Sequence, residues 1–150
     1  HRVDRRQRQM CIETGIHLLT NQAAHLRLGD VTLDLLGIKW SHSSAIAAVD
    51  VAEVAAIRQP DAFSILLSHH PDAFDHAVNH QIPLTLAGHT HGGQLMLNSK
   101  VGVGSAMFRY WTGLYRKQNC ALYVSNGVGN WFPIRVNAPA EIVCITLRNE

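Results

Sequence analysis

In His89-Thr90-His91 two imidazoles are separated by one residue, so in an extended segment both would point the same way and reach one metal ion or two neighbouring ones. Gly88, Gly92 and Gly93 flank the pair and let the backbone turn tightly and approach ions or a phosphate closely. A histidine-bearing turn packed without function is the competing reading, and a Gly-His-x-His-Gly-Gly run directly after a buried strand is a rare way to build one. Twenty residues earlier Ser68-His69-His70-Pro71 forms a second imidazole group. Six of the ten histidines fall between His69 and His91, which makes a metal site the expected chemistry there.

Charge is distributed unevenly around these groups. All 11 carboxylates lie in residues 1–75 or 141–150, so residues 76–140 are free of acids while carrying Lys100, Arg109, Arg116, Lys117 and Arg135. The centre of the chain is thus rich in neutral nitrogen ligands and poor in anionic oxygen. No block of like charge exceeds the Arg5-Arg6 pair, and basic residues do not alternate with aromatics, so a nucleic-acid-binding stripe is not expected. Cys11, Cys120 and Cys144 show no Cys-x-x-Cys spacing and cannot all pair within one chain, which points to reduced thiols.

The other candidates carry plainer alternatives. His76 and His80 stand four apart on an expected helix and could share a metal, but no Glu follows His76 in the metalloprotease pattern and a polar helix face accounts for both. His17, His25 and His42 lack partner motifs. Arg109 and Arg135 could hold phosphate as bidentate donors or serve structure. Trp40, Trp111 and Trp131 read as packing residues, and Asp30 as a turn residue.

The elements that must position the histidines follow from periodicity and turn formers. A helix is expected over residues 4–14, then strands at Ile16–Leu19, Ala24–Leu28 and Val31–Ile38, with Gly29-Asp30 as the intervening turn. Residues 44–58 suit a helix ended by Pro60, with Asp50-x-x-Glu53 resembling a capping box. The apolar runs Ser64–Leu67 and Ile82–Ala87 read as buried strands joined by a helix over Asp72–His80 with Ala73, Phe74, Ala77 and Val78 inward. That βαβ unit places the two histidine groups side by side at one end of a parallel pair. A loop at Gly102 and Gly104, strands at Cys120–Val124 and Glu141–Leu147, and a turn at Asn126–Gly129 complete the chain. Its 47% hydrophobic content fits one globular α/β domain or a large part of one.

Gly88-His89-Thr90-His91-Gly92-Gly93-Gln94, preceded by Leu66-Leu67-Ser68-His69-His70-Pro71-Asp72, resembles the C-terminal half of the calcineurin-like metallophosphoesterases. Gly113-Leu114-Tyr115, Leu122-Tyr123-Val124-Ser125-Asn126-Gly127-Val128-Gly129 and Pro133-Ile134-Arg135 extend the likeness toward a bacterial branch resembling UDP-2,3-diacylglucosamine hydrolase-like enzymes. The resemblance implies a partial four-layer α/β/β/α sandwich with mixed sheets, of which residues 1–150 are the C-terminal part. It implies two divalent ions, Mn, Fe or Zn, with His69 and His89 on the second ion and His91 on the first, and His70 outside the ligand set. A hydroxide activated by the two metals would attack phosphorus in a phosphomonoester, phosphodiester or pyrophosphate.

The family's Asp-x-His and Gly-Asn-His do not occur in these residues, and Gly29-Asp30-Val31-Thr32-Leu33-Asp34 sets its second Asp one residue late for Gly-Asp-x-x-Asp. His1 stands where the histidine of Gly-Asn-His would fall, without the preceding Gly-Asn. The expectation is a phosphohydrolase whose acidic ligands lie upstream, acting on a phosphorylated small molecule or a lipid-linked nucleotide. The alternative is a catalytically silent metal-binding or scaffolding fragment. A chain that begins with His is expected to have lost its natural start, and a membrane segment would lie there, so a membrane-associated or cytoplasmic protein is expected.

Overall fold

The computed structural model describes residues 15–41, 43–98 and 101–148. The helix expected at 4–14, His1, His42 and Cys11 lie outside the described residues.

Strand β1 (Gln22–Leu28) turns at Gly29-Asp30 into β2 (Val31–Gly37), an antiparallel hairpin in register from Gln22 against Gly37 to Leu28 against Val31. Helix α1 (Ser44–Ala56) leads to β3 (Phe63–Leu67), and α2 (Ala73–Asn79) leads to β4 (Leu84–Ala87). A short antiparallel pair, β5 (Met96–Asn98) and β6 (Val101–Gly102), and a one-turn helix α3 (Val103–Met107) precede the closing hairpin of β7 (Gly113–Lys117) and β8 (Cys120–Val124). The main sheet is six-stranded in the order β1-β2-β3-β4-β8-β7. Its four inner strands run parallel and its two edges antiparallel, a mixed α/β sheet as expected.

Both longer helices cover one face. Val51 and Val54 of α1 and Ala73 and Ala77 of α2 pack with Leu36, Leu66 and Ile82, while Phe74 and Val78 pack with Cys120, Leu122 and Val124. All four residues expected to face inward from α2 are buried. Strand alternation and register send Leu26, Leu33, Leu35, Phe63, Ile65, Leu67, Leu84, Leu86, Tyr123 and Leu114 to the opposite face. That face is apolar, and Leu26, Phe63 and Leu114 on it are exposed.

Several expected elements differ. Residues 16–19 form no strand: Ile16 and Leu18 are exposed, and Leu19 instead lies where any Cβ on Gly37 would stand. Helix α1 begins at Ser44 because the Ser43 hydroxyl accepts from Ile46 N at 3.4 Å. Asp50 is therefore not a cap; it is buried in mid-helix, accepting from Asn21 Nδ2 (2.7 Å) and paired with Lys39 (3.0 Å). Residues 141–147 form no strand, since they find no ladder partner among the described residues and leave Ile142, Ile145 and Leu147 exposed. The Gly102–Gly104 loop is part of β6 and α3, and β7 joins the sheet edge beside β8.

Candidate metal centre

The parallel pairing of β3 with β4 sets Ile65 against Leu84 and Leu67 against Leu86, and the backbone stays paired beyond the strands, with Ser68 N donating to Leu86 O (3.0 Å) and Gly88 N to His69 O (3.2 Å). His69 and His89 thus leave adjacent strands at the same level. Their Nε2 and Nδ1 atoms stand 3.2 Å apart, and the His70 ring lies 4.8 Å from that of His89.

The backbone of the motif is strained where the imidazoles project. His89 (φ 70°), His91 (φ 51°) and Gln94 (φ 57°) all occupy the left-handed region, as do Gly92 and Gly93. Non-glycine residues seldom adopt it, and such strain collects at functional sites, where the surroundings hold it in place. Thr90 supplies part of that hold: fully buried between the two histidines, its hydroxyl donates to Trp111 O at 2.6 Å. Gly93 supplies another part, because a Cβ there would overlap the backbone of Gly104.

A distance of 3.2 Å suits two imidazoles on one ion. With metal–nitrogen bonds of about 2.0–2.1 Å, ligand angles between a right angle and tetrahedral give nitrogen separations of about 2.9–3.4 Å. The same contact serves as a ring-to-ring hydrogen bond when both rings are in the same tautomer, with their protons both on Nδ1 or both on Nε2. Among the described residues, no group of three or more His, Cys, Asp or Glu side chains converges as a metal-holding set. His69 and His89 thus present two nitrogen donors of the borderline kind that Zn, Fe or Mn accept, short of a complete set among the described residues.

His91 occupies a different corner. Its Nδ1 lies 3.4 Å from Arg135 Nη2, and its ring is edge-on to Trp131 at 5.4 Å. Arg135 can only donate, so this contact puts the imidazole proton on Nε2, and His91 could ligate through Nε2 only after giving the contact up.

The arginines are structural. Arg135 donates to the carbonyls of Asn126, Gly127, Gly129, Ala138 and Pro139 and to Asn130 Oδ1, stapling the 126–139 loop. Arg109 pairs with Asp75 at 2.8 Å, beside Lys117 at 2.8 Å and the Tyr110 hydroxyl at 3.0 Å. Burial pushes the Asp75 carboxyl up, but these hydrogen bonds and the two cations outweigh it and hold the group below its usual range. Asp30 sits in the turn before β2, at the end of the sheet opposite the histidines. His76 Nε2 meets Ser44 Oγ at 3.0 Å, and His25 Nδ1 meets the buried Asp34 at 2.7 Å.

Sequence reasoning missed the aromatic collar and the residue that fixes it. Trp111 is buried as expected of a packing residue, but Trp40 and Trp131 are half-exposed against the histidines. Trp40 lies 6.3 Å from the His69 ring, and Phe108 lies 5.7 Å from His89 and 6.0 Å from Trp131. Gln94, fully buried, accepts from Trp131 N (2.5 Å) and Phe132 N (3.2 Å) and donates to Phe132 O (2.8 Å) and Ile134 O (3.0 Å). The only signal was its place at the end of the glycine-histidine motif.

The chain is 34% identical over 141 residues to a protein of Campylobacter jejuni named as an uncharacterized metallophosphoesterase, covering 91% of this chain and 36% of that one. A Helicobacter pylori protein of the same description is 33% identical over 133 residues (87% and 35% covered), and one from Bacillus subtilis is 37% identical over 90 residues (58% and 32% covered). The chain thus spans about a third of the length of the curated relatives it matches. These relatives support the metallophosphoesterase family for the chain. No protein-family model matches it, and no solved structure matches it.

Proposed function

We infer, from the metallophosphoesterase family that these relatives support, that the chain is the histidine-donating part of a metal-dependent phosphoesterase. The observation that carries the reading is the 3.2 Å approach of His69 Nε2 to His89 Nδ1, at the ends of adjacent parallel strands, in a motif whose backbone is held in the left-handed region. In this reading His69 and His89 share one of two divalent ions and His91 serves the other, with Mn, Fe or Zn all suited to mixed imidazole and carboxylate ligation. When bound, such ions supply a nucleophile at neutral pH and offset charge developing on phosphorus.

The chain's own residues do the positioning. Thr90 pins the middle of the motif to Trp111, and Gly93 lets it pass against Gly104. Residues 76–140, which include His89, His91 and Trp131, carry no carboxylate to oppose an approaching phosphoester. The carboxylate ligands belong to the upstream part in this reading. The apolar face of the sheet opposite α1 and α2 offers a surface for that part, in keeping with a four-layer sandwich. The substrate is a phosphomonoester, phosphodiester or pyrophosphate, including a lipid-linked nucleotide of the kind used by UDP-2,3-diacylglucosamine hydrolase-like enzymes.

The test uses the full-length protein. His89→Ala and His91→Ala should each lower bound metal and slow hydrolysis of bis-p-nitrophenyl phosphate by about a hundredfold or more. Unchanged metal content and rate in both variants would refute the reading.

A further inference from the structure

Resting on that reading, we propose that Trp131 is the specificity-determining wall of the site, and that it favours phosphoesters bearing a planar aromatic group beside the phosphorus. Trp131 is 43% exposed and lies edge-on to His91 at 5.4 Å. Phe108 continues the wall from Trp131 to His89, at ring separations of 6.0 and 5.7 Å. An exposed indole beside the His91 imidazole offers a π-surface close to anything that histidine holds, and π-surfaces stack planar groups with little regard to their substituents.

The wall is preset by the motif itself. Gln94 closes the Gly-His-x-His-Gly-Gly-Gln run, and its amide makes two accepted and two donated hydrogen bonds to the backbone of Trp131, Phe132 and Ile134. That exhausts the donors and acceptors of a carboxamide. Glu could not donate to the Phe132 and Ile134 carbonyls, and Ala would remove the partner of all four backbone groups. Gln94 is thus a positioning residue: one strained turn presents His91 and fixes the indole against it. With residues 76–140 free of acids, the wall adds apolar area without repelling a phosphate.

The experiment measures, by calorimetry on metal-loaded full-length protein, dissociation constants for phenylphosphonate, cyclohexylphosphonate and ethylphosphonate, which share a headgroup and differ in the attached group. The wild type should bind phenylphosphonate about tenfold more tightly than ethylphosphonate, with cyclohexylphosphonate near the ethyl compound. Trp131→Ala should erase that preference by losing about tenfold more affinity for phenylphosphonate than for ethylphosphonate, Trp131→Phe should keep it, and Gln94→Glu should weaken it. Equal affinity of the wild type for all three, equal loss of all three in Trp131→Ala, or cyclohexyl binding as tight as phenyl would overturn the proposal while leaving the phosphoesterase reading intact. A full-length protein that takes up no metal and binds no phosphonate overturns that reading as well.

Discussion

His89 Nδ1 stands 3.2 Å from His69 Nε2 although twenty residues separate them in the chain. The approach follows from topology, because each histidine sits two residues beyond a strand and the two strands are parallel neighbours in register. A right-handed βαβ crossover brings consecutive strand ends together, and short apolar strands ended by turn formers make that unit.

The close passage of Gly93 over Gly104 makes this turn intolerant of side chains. At Gly93 a methyl group would meet both a left-handed φ of 66° and the Gly104 backbone. Gly93→Ala should cost about 2 kcal/mol or more in stability and lower bound metal, whereas Gly88→Ala, with open space around it, should cost little. Thermal unfolding of the two full-length variants with a metal assay checks this, and equal effects would contradict it.

Asp75 ties α2 to the β7 hairpin through Arg109, Tyr110 and Lys117, and its carboxyl is held below the usual range. The folded state therefore binds fewer protons there than the unfolded chain does. Its contribution is complete above the unfolded value of about 3.9 and is lost as pH falls through the lowered folded value. Arg109 and Lys117 are well exposed, so solvent screens both pairs, and Asp75→Ala should cost only about 1–2 kcal/mol near pH 7. The difference between wild type and variant should shrink below about pH 4, as read by urea unfolding at several pH values.

Cys120 is buried in the core with Leu122 and Val124, and burial pushes its thiol up, while Cys144 is exposed. Because the thiolate is the reacting form, iodoacetamide should label Cys144 well before Cys120 in the native protein. Peptide mapping after timed alkylation measures this, and Cys120 labelled first would contradict the placement of β8.

Much of the scaffold could be read from local pattern. The Gly29-Asp30 hairpin, the inward face of α2, the β8 strand and the juxtaposition of the two histidine groups all follow from runs of fewer than ten residues bounded by turn formers. The failures were of pairing. Ile16–Leu19 and residues 141–147 have strand-like composition, but a strand exists only where a neighbour offers a ladder, and periodicity does not report the neighbour. The start of α1 went to Ser43 because its hydroxyl reaches Ile46 N, which left the acidic pair Asp50 and Glu53 in mid-helix. Around the site, the pair of histidine groups was legible while its collar was not. Gln94 grips Trp131 across 37 residues and Thr90 reaches Trp111 across 21, contacts decided by how loops fold over the motif.

The central claim is that His69 and His89 are poised to share an ion. Anomalous-scattering crystallography of the full-length protein loaded with Mn²⁺ or Zn²⁺ tests it directly. The account predicts one peak within about 2.0–2.3 Å of both His69 Nε2 and His89 Nδ1, and a second ion reached by His91 after it has left Arg135. Bound ions that contact neither His69 nor His89 would contradict it.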